Sequence, residues 1–108
     1  MRWFLIVMSL LVATTAEATS LNGIIYSLQR ECGAKIGPRV VAKNVAGTRM
    51  RSCHATGEAV DVTGNYACIY RVLRGWPGGY TTDAGRCKHV HVSSCRREWG
   101  LRFKHGVC

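Results

Sequence analysis

A chain of 108 residues with 15 Lys and Arg against 6 Asp and Glu carries a formal net charge of +9. That length allows one domain with a modest core, which at this size commonly needs covalent staples. The charge favours an anionic partner such as cell wall, membrane surface or nucleic acid, or serves solubility alone. Only Arg96 and Arg97 are adjacent, so no nucleic-acid motif forms, and repeats, linkers and low-complexity tracts are absent.

Arg2, an apolar run from Trp3 to Val12 and small residues ending in Ala16-Glu17-Ala18 read as a secretory leader with an Ala-x-Ala cleavage site. The run is too short to span a membrane. The expected organisation is therefore a signal peptide over residues 1–18 and one domain over residues 19–108, periplasmic or secreted, without a transmembrane segment and monomeric. From Ser20, the apolar positions Leu21, Ile24, Ile25 and Leu28 follow helical spacing, with Ser20 as cap and Gly33 as terminator. Val40 and Val41 suggest a short strand, kept to an edge or turn by Pro38, and residues 44–51 read as a loop.

Ser52-Cys-His-Ala-Thr-Gly-Glu-Ala-Val-Asp61 follows. In a strand, Ala59 and Asp61 share one face and Val60 and Val62 the other. Gly57 supplies a backbone conformation that a Cβ would block. Glu58 alternates away from Asp61 and reads as solvated. Ile69, Val72, Leu73 and Trp76 predict a second helix, capped by Asn65 and ending near Gly75. Trp76-Pro-Gly-Gly79 is a turn, Tyr80-Thr-Thr82 a short strand, and Trp76 and Tyr80 belong to the core or to a cleft wall. In Lys88-His-Val-His-Val92, His89 and His91 point one way and Val90 and Val92 the other. Leu101 and Phe103 alternate with Arg102 and Lys104 as in a half-buried terminal strand, and His105 reads as surface.

All six cysteines, Cys32, Cys53, Cys68, Cys87, Cys95 and Cys108, lie beyond the leader, which fits three disulfides in an oxidising compartment. Six cysteines allow 15 connectivities, and spacing selects none. A bridge to Cys108 would pin the terminus. The competing reading makes Cys53 and Cys87 zinc ligands beside His54 and His89.

The predicted architecture is α+β: a small, disulfide-stapled antiparallel sheet with two helices on its valine face and a polar site on the other. Were the two motif strands neighbours, His54, Asp61 and His91 would converge as two imidazoles and one carboxylate, a catalytic-type zinc shell with a fourth position left for water.

Ser52-x-His54-x-x-Gly57-x-Ala59-x-Asp61 followed by His89-x-His91 resembles the zinc peptidases of bacterial cell walls grouped with D-alanyl-D-alanine carboxypeptidases and the hedgehog signalling domain. The resemblance implies Zn2+ bound by His54, Asp61 and His91, with His89 as a non-ligand active-site histidine. Arg39-Val-Val-Ala-Lys-Asn44 is similar to the family segment whose Arg holds a substrate carboxylate, which would place Arg39, Asn44 and Ser52 at the substrate. Many members carry an acidic general base a few residues before the last ligand. Here only Asp83 is acidic in that stretch, and it lies further away. Asp83 reaches the site by a loop, or His89 handles the proton, or the site binds metal without turnover.

The implied function is hydrolysis of peptidoglycan stem peptides by a secreted zinc peptidase. The alternatives are a zinc-binding domain that recognises wall peptide or another partner without cleaving it, a basic cysteine-rich antimicrobial peptide, and a stapled sheet whose histidines are ordinary polar residues.

Overall fold

A computed structural model describes residues 18–39, 44–45 and 51–108. The leader expected over residues 1–18, apart from Ala18, and the strand expected at Val40 and Val41 lie outside the described residues. The elements are α1 (Leu21–Cys32), β1 (Lys35–Ile36), β2 (Ala59–Thr63), α2 (Tyr66–Leu73), β3 (Gly79–Thr81), α3 (Ala84–Cys87), β4 (Val90–Ser93) and β5 (Arg102–Phe103). Short 3₁₀ turns occupy Cys53–Thr56 and Arg96–Glu98.

The first helix forms between the signals read from sequence. The Ser20 hydroxyl accepts from the Gly23 N–H, and Gly33 takes the left-handed conformation at φ 59°, satisfying the last carbonyls. Asn65 caps α2 through its side chain, accepting from the Cys68 N–H. The second helix stops at Leu73, one turn short of Trp76. Trp76 is nonetheless 1% exposed and donates its indole N–H to the Gly79 carbonyl at 3.3 Å, so it belongs to the core.

The sheet order is β1-β2-β4-β3-β5. The first four strands pair antiparallel, whereas β5 runs parallel to β3. The expectation of an antiparallel sheet thus holds except at one edge. The chain leaving β4 passes the start of β3, where the Gly100 N–H meets the Pro77 and Gly78 carbonyls, so β5 enters the sheet from the same end as β3. Gly79 is required at this crossing, because a Cβ there would collide with the Glu98 carbonyl.

On one face of the sheet Val60, Val62, Val90 and Val92 are fully buried beneath Leu21, Ile24 and Leu28 of α1 and Ile69 and Leu73 of α2. Each valine contributes about 1.5–3 kcal/mol of apolar burial. Three disulfides, Cys32–Cys68, Cys53–Cys95 and Cys87–Cys108, staple the fold. They join α1 to α2, the turn before β2 to the segment after β4, and α3 to the C-terminus. Because Cys53 and Cys87 are both oxidised, the reading of them as zinc ligands is overturned: a disulfide sulfur has no thiolate to offer a metal. Among the described residues no helix is long and apolar enough to cross a membrane. Three disulfides are compatible with an extracellular protein.

Candidate metal centre

The face opposite the valines carries the polar motif. Asp61 of β2 and His91 of β4 are direct cross-strand partners, in the register that pairs Val60 with Val92 and Val62 with Val90 behind them. The same alternation that buries the valines therefore presents Asp61 and His91 side by side. His54 comes from the 3₁₀ turn ahead of β2 and is 4% exposed. That turn closes at Gly57, whose φ of 75° and N–H bond to the His54 carbonyl reverse the chain into β2. The Cys53–Cys95 bridge ties it to the end of β4.

Three donor atoms converge as a result. His54 Nε2 lies 3.3 Å from Asp61 Oδ1 and 3.0 Å from His91 Nδ1, and His91 Nδ1 lies 3.9 Å from the same carboxylate oxygen. These separations bracket the roughly 3.3–3.4 Å edge of a tetrahedron built on zinc bonds of 2.0–2.1 Å. Two imidazole nitrogens and a carboxylate oxygen form a donor set typical of a zinc site that keeps a position open. The residues present therefore fit such a metal.

Behind His91 stands a residue that the sequence reading did not single out. Glu98 accepts from His91 Nε2 at 2.8 and 3.1 Å, and the two side chains are 14% and 12% exposed. A carboxylate accepts only, so Nε2 carries the ring proton and the Nδ1 lone pair is turned towards Asp61 and His54. This is the carboxylate–histidine arrangement that orients metal ligands. Burial opposes the Glu98 charge, but the His91 hydrogen bond, the Ser93 hydroxyl and Arg97 hold its carboxyl below the ordinary range. Glu98 sits seven positions past His91 in no periodic relation to it, so no local pattern marks it. Glu58, read as solvated, accepts from the Thr56 hydroxyl at 2.6 Å and stays out of the cluster.

His89 is beside the triad, with Nε2 3.8 Å from Asp61 Oδ1 and Nδ1 bonded to the Cys87 carbonyl at 2.9 Å. Asp83 is buried at the start of α3 and does not line the cleft. It pairs with Arg86 at 2.9 Å and with His105 Nδ1 at 2.7 Å. Although burial disfavours its charge, the hydrogen bonds from His105 and Arg86 pull its carboxyl from an ordinary 3.8 down to about 2. The expectation that His105 is a surface residue is overturned. Its side chain is 14% exposed, bonded to Asp83 and packed edge-on against His89 with ring centres 4.5 Å apart. The Cys87–Cys108 bridge draws the terminal segment back over α3 and brings His105 in.

A cleft of about 630 Å³ opens over the triad, lined among others by Asn44, Ser52, Arg97, Lys104 and His105. That volume suits a small ligand or short peptide. Asn44 and Ser52 are both at this cleft, and the buried Ser52 hydroxyl has no hydrogen-bond partner among the described residues. Arg39 does not line the cleft. Its Nε donates to the Gly57 carbonyl at 2.8 Å and its guanidinium meets Asn22 Oδ1, tying the start of α1 to the turn that carries His54. Trp76 and Tyr80 also lie outside the lining.

Comparison with known protein families, with curated proteins and with solved structures finds no match to this chain.

Proposed function

We propose that this is a secreted metallopeptidase, a carboxypeptidase or endopeptidase that holds Zn2+ on His54, Asp61 and His91 and hydrolyses peptidoglycan stem peptides. The observation that carries the reading is the convergence of His54 Nε2, Asp61 Oδ1 and His91 Nδ1 at metal-shell spacing on the floor of a peptide-sized cleft. A divalent metal supplies Lewis-acid activation of a carbonyl and of water. The chain's own residues do the rest. Glu98 holds the His91 ring with Nδ1 presented, Arg97 and Lys104 offer cations at the cleft to a carboxylate-rich peptide, and the Cys53–Cys95 bridge keeps His54 against the sheet. Wall stem peptides carry free carboxylates, which matches both the cationic lining and the net charge of +9.

A non-catalytic zinc domain that binds wall peptide is the second reading. It is favoured by how the two other acidic residues near the cleft are engaged: Glu98 lines it but is bonded to His91, and Asp83 lies outside the lining, bonded to His105. The test is incubation of the oxidised, zinc-loaded protein with purified wall material of several chemistries. Chelator-sensitive release of amino acids or shortened peptides supports the peptidase. Wall-peptide affinity with metal bound and no turnover supports the binding domain, and neither activity nor affinity contradicts both.

A further inference from the structure

Hydrolysis at this site needs a group that takes a proton from water and returns it to the leaving amine, and the acidic residue expected shortly before His91 is absent from the sequence. The terminal segment supplies a candidate. The backbone N–H of His105 donates to Asp83 Oδ2 at 2.8 Å while its ring Nδ1 meets Oδ1 at 2.7 Å, so one buried carboxylate grips both the main chain and the imidazole. A carboxylate cannot donate, so the proton lies on Nδ1 and Nε2 is the lone-pair nitrogen. His105 lines the cleft whereas Asp83 does not, and Nδ1 is the ring nitrogen that the carboxylate takes. The ring is one neighbour away from the triad, since it packs on His89, whose Nε2 is 3.8 Å from Asp61.

Resting on the peptidase reading, we propose that His105, oriented by Asp83, is the proton-transfer residue of the site, brought there from the C-terminal segment by the Cys87–Cys108 bridge. The water O–H bond breaks, its oxygen bonds to the scissile carbonyl carbon and its proton passes to His105 Nε2. The C–N bond then breaks and the amine departs with that proton, while Asp83 stays ionised beside Nδ1–H. His89 is less suited, because its Nδ1 faces a neutral backbone carbonyl, whereas the Asp83 charge stabilises the imidazolium that forms on His105.

The experiment compares zinc-loaded wild type, His105→Gln and Asp83→Asn on a peptide ending in D-alanyl-D-alanine and on purified wall fragments. His105→Gln is expected to keep three disulfides and about one zinc per chain, to hold KM within about twofold and to lose about 10²–10⁴-fold in kcat. In nitrogen-labelled wild type, a far-downfield Nδ1 proton on His105 is expected, lost in Asp83→Asn. Wild-type hydrolysis that persists within twofold in His105→Gln overturns the assignment and leaves the peptidase reading standing. A zinc-loaded wild type that cleaves no wall peptide overturns both. Where His105→Gln fails to fold, a phosphinate analogue of the peptide decides: His105 ring-nitrogen shifts that respond to it support the assignment, and unresponsive shifts overturn it.

Discussion

Glu98 meets His91 at its far nitrogen, Nε2, and so fixes Nδ1 as the nitrogen that faces Asp61 and His54. Glu98→Gln keeps the shape and removes the charge, and loss of such a partner typically weakens metal binding about 10–100-fold. Competition against a zinc-sensitive dye checks this; unchanged affinity would mean that Asp61 and His54 orient His91 by themselves. Asp83 makes a separate prediction about acid. Its carboxyl is held at about 2 in the fold against an ordinary 3.8, so the stability it contributes is fully present above about pH 4 and is lost as pH falls towards 2. A depression of that size is worth about 2 kcal/mol. Asp83→Asn is therefore expected to be less stable than wild type at pH 6 and to show a flatter decline between pH 4 and 2, as read by denaturant unfolding at each pH. A parallel decline in both proteins would contradict the account.

At the level of elements, the capped helices and the paired motif strands were legible because each is specified locally. Ser20 and Gly33 bracket α1, Asn65 caps α2, and the two-residue period of Val60-Asp61-Val62 and Val90-His91-Val92 dictates which side chains share a face. What was not legible depends on contacts far apart in sequence. The parallel pairing of β5 follows from how the chain crosses the start of β3. His105 is held against Asp83 in a segment that the Cys87–Cys108 bridge ties back to α3, and that bridge belongs to one of 15 connectivities that spacing cannot rank. The family resemblance points Arg39 at substrate, whereas its guanidinium braces the Gly57 carbonyl and Asn22. The terminal bridge carries its own prediction. Replacing both Cys87 and Cys108 with Ser removes a loop constraint worth about 3 kcal/mol and frees the His105 segment. Zinc should be retained, because His54, Asp61 and His91 are held by β2, β4 and the Cys53–Cys95 bridge. Peptide hydrolysis should fall as far as in His105→Gln. Metal loss in this variant, measured by elemental analysis, would show that the terminus supports the triad itself.

For the whole molecule, one design serves two faces. The antiparallel pair β2 and β4 buries four valines against α1 and α2 and so sets the register that brings Asp61 and His91 together. A fold of this size gains rigidity from its three disulfides, which also hold the 3₁₀ turn and the terminal segment at the rim of the cleft. The central claim is that this cleft is a metal centre. The most direct test is the zinc content of the oxidised protein, purified without a metal-binding tag, beside His54→Ala and His91→Ala. About one zinc per chain in the wild type and none in either variant is the predicted result. A folded wild type that takes up no zinc when the metal is offered would contradict the account and leave a disulfide-stapled module whose polar face serves another purpose.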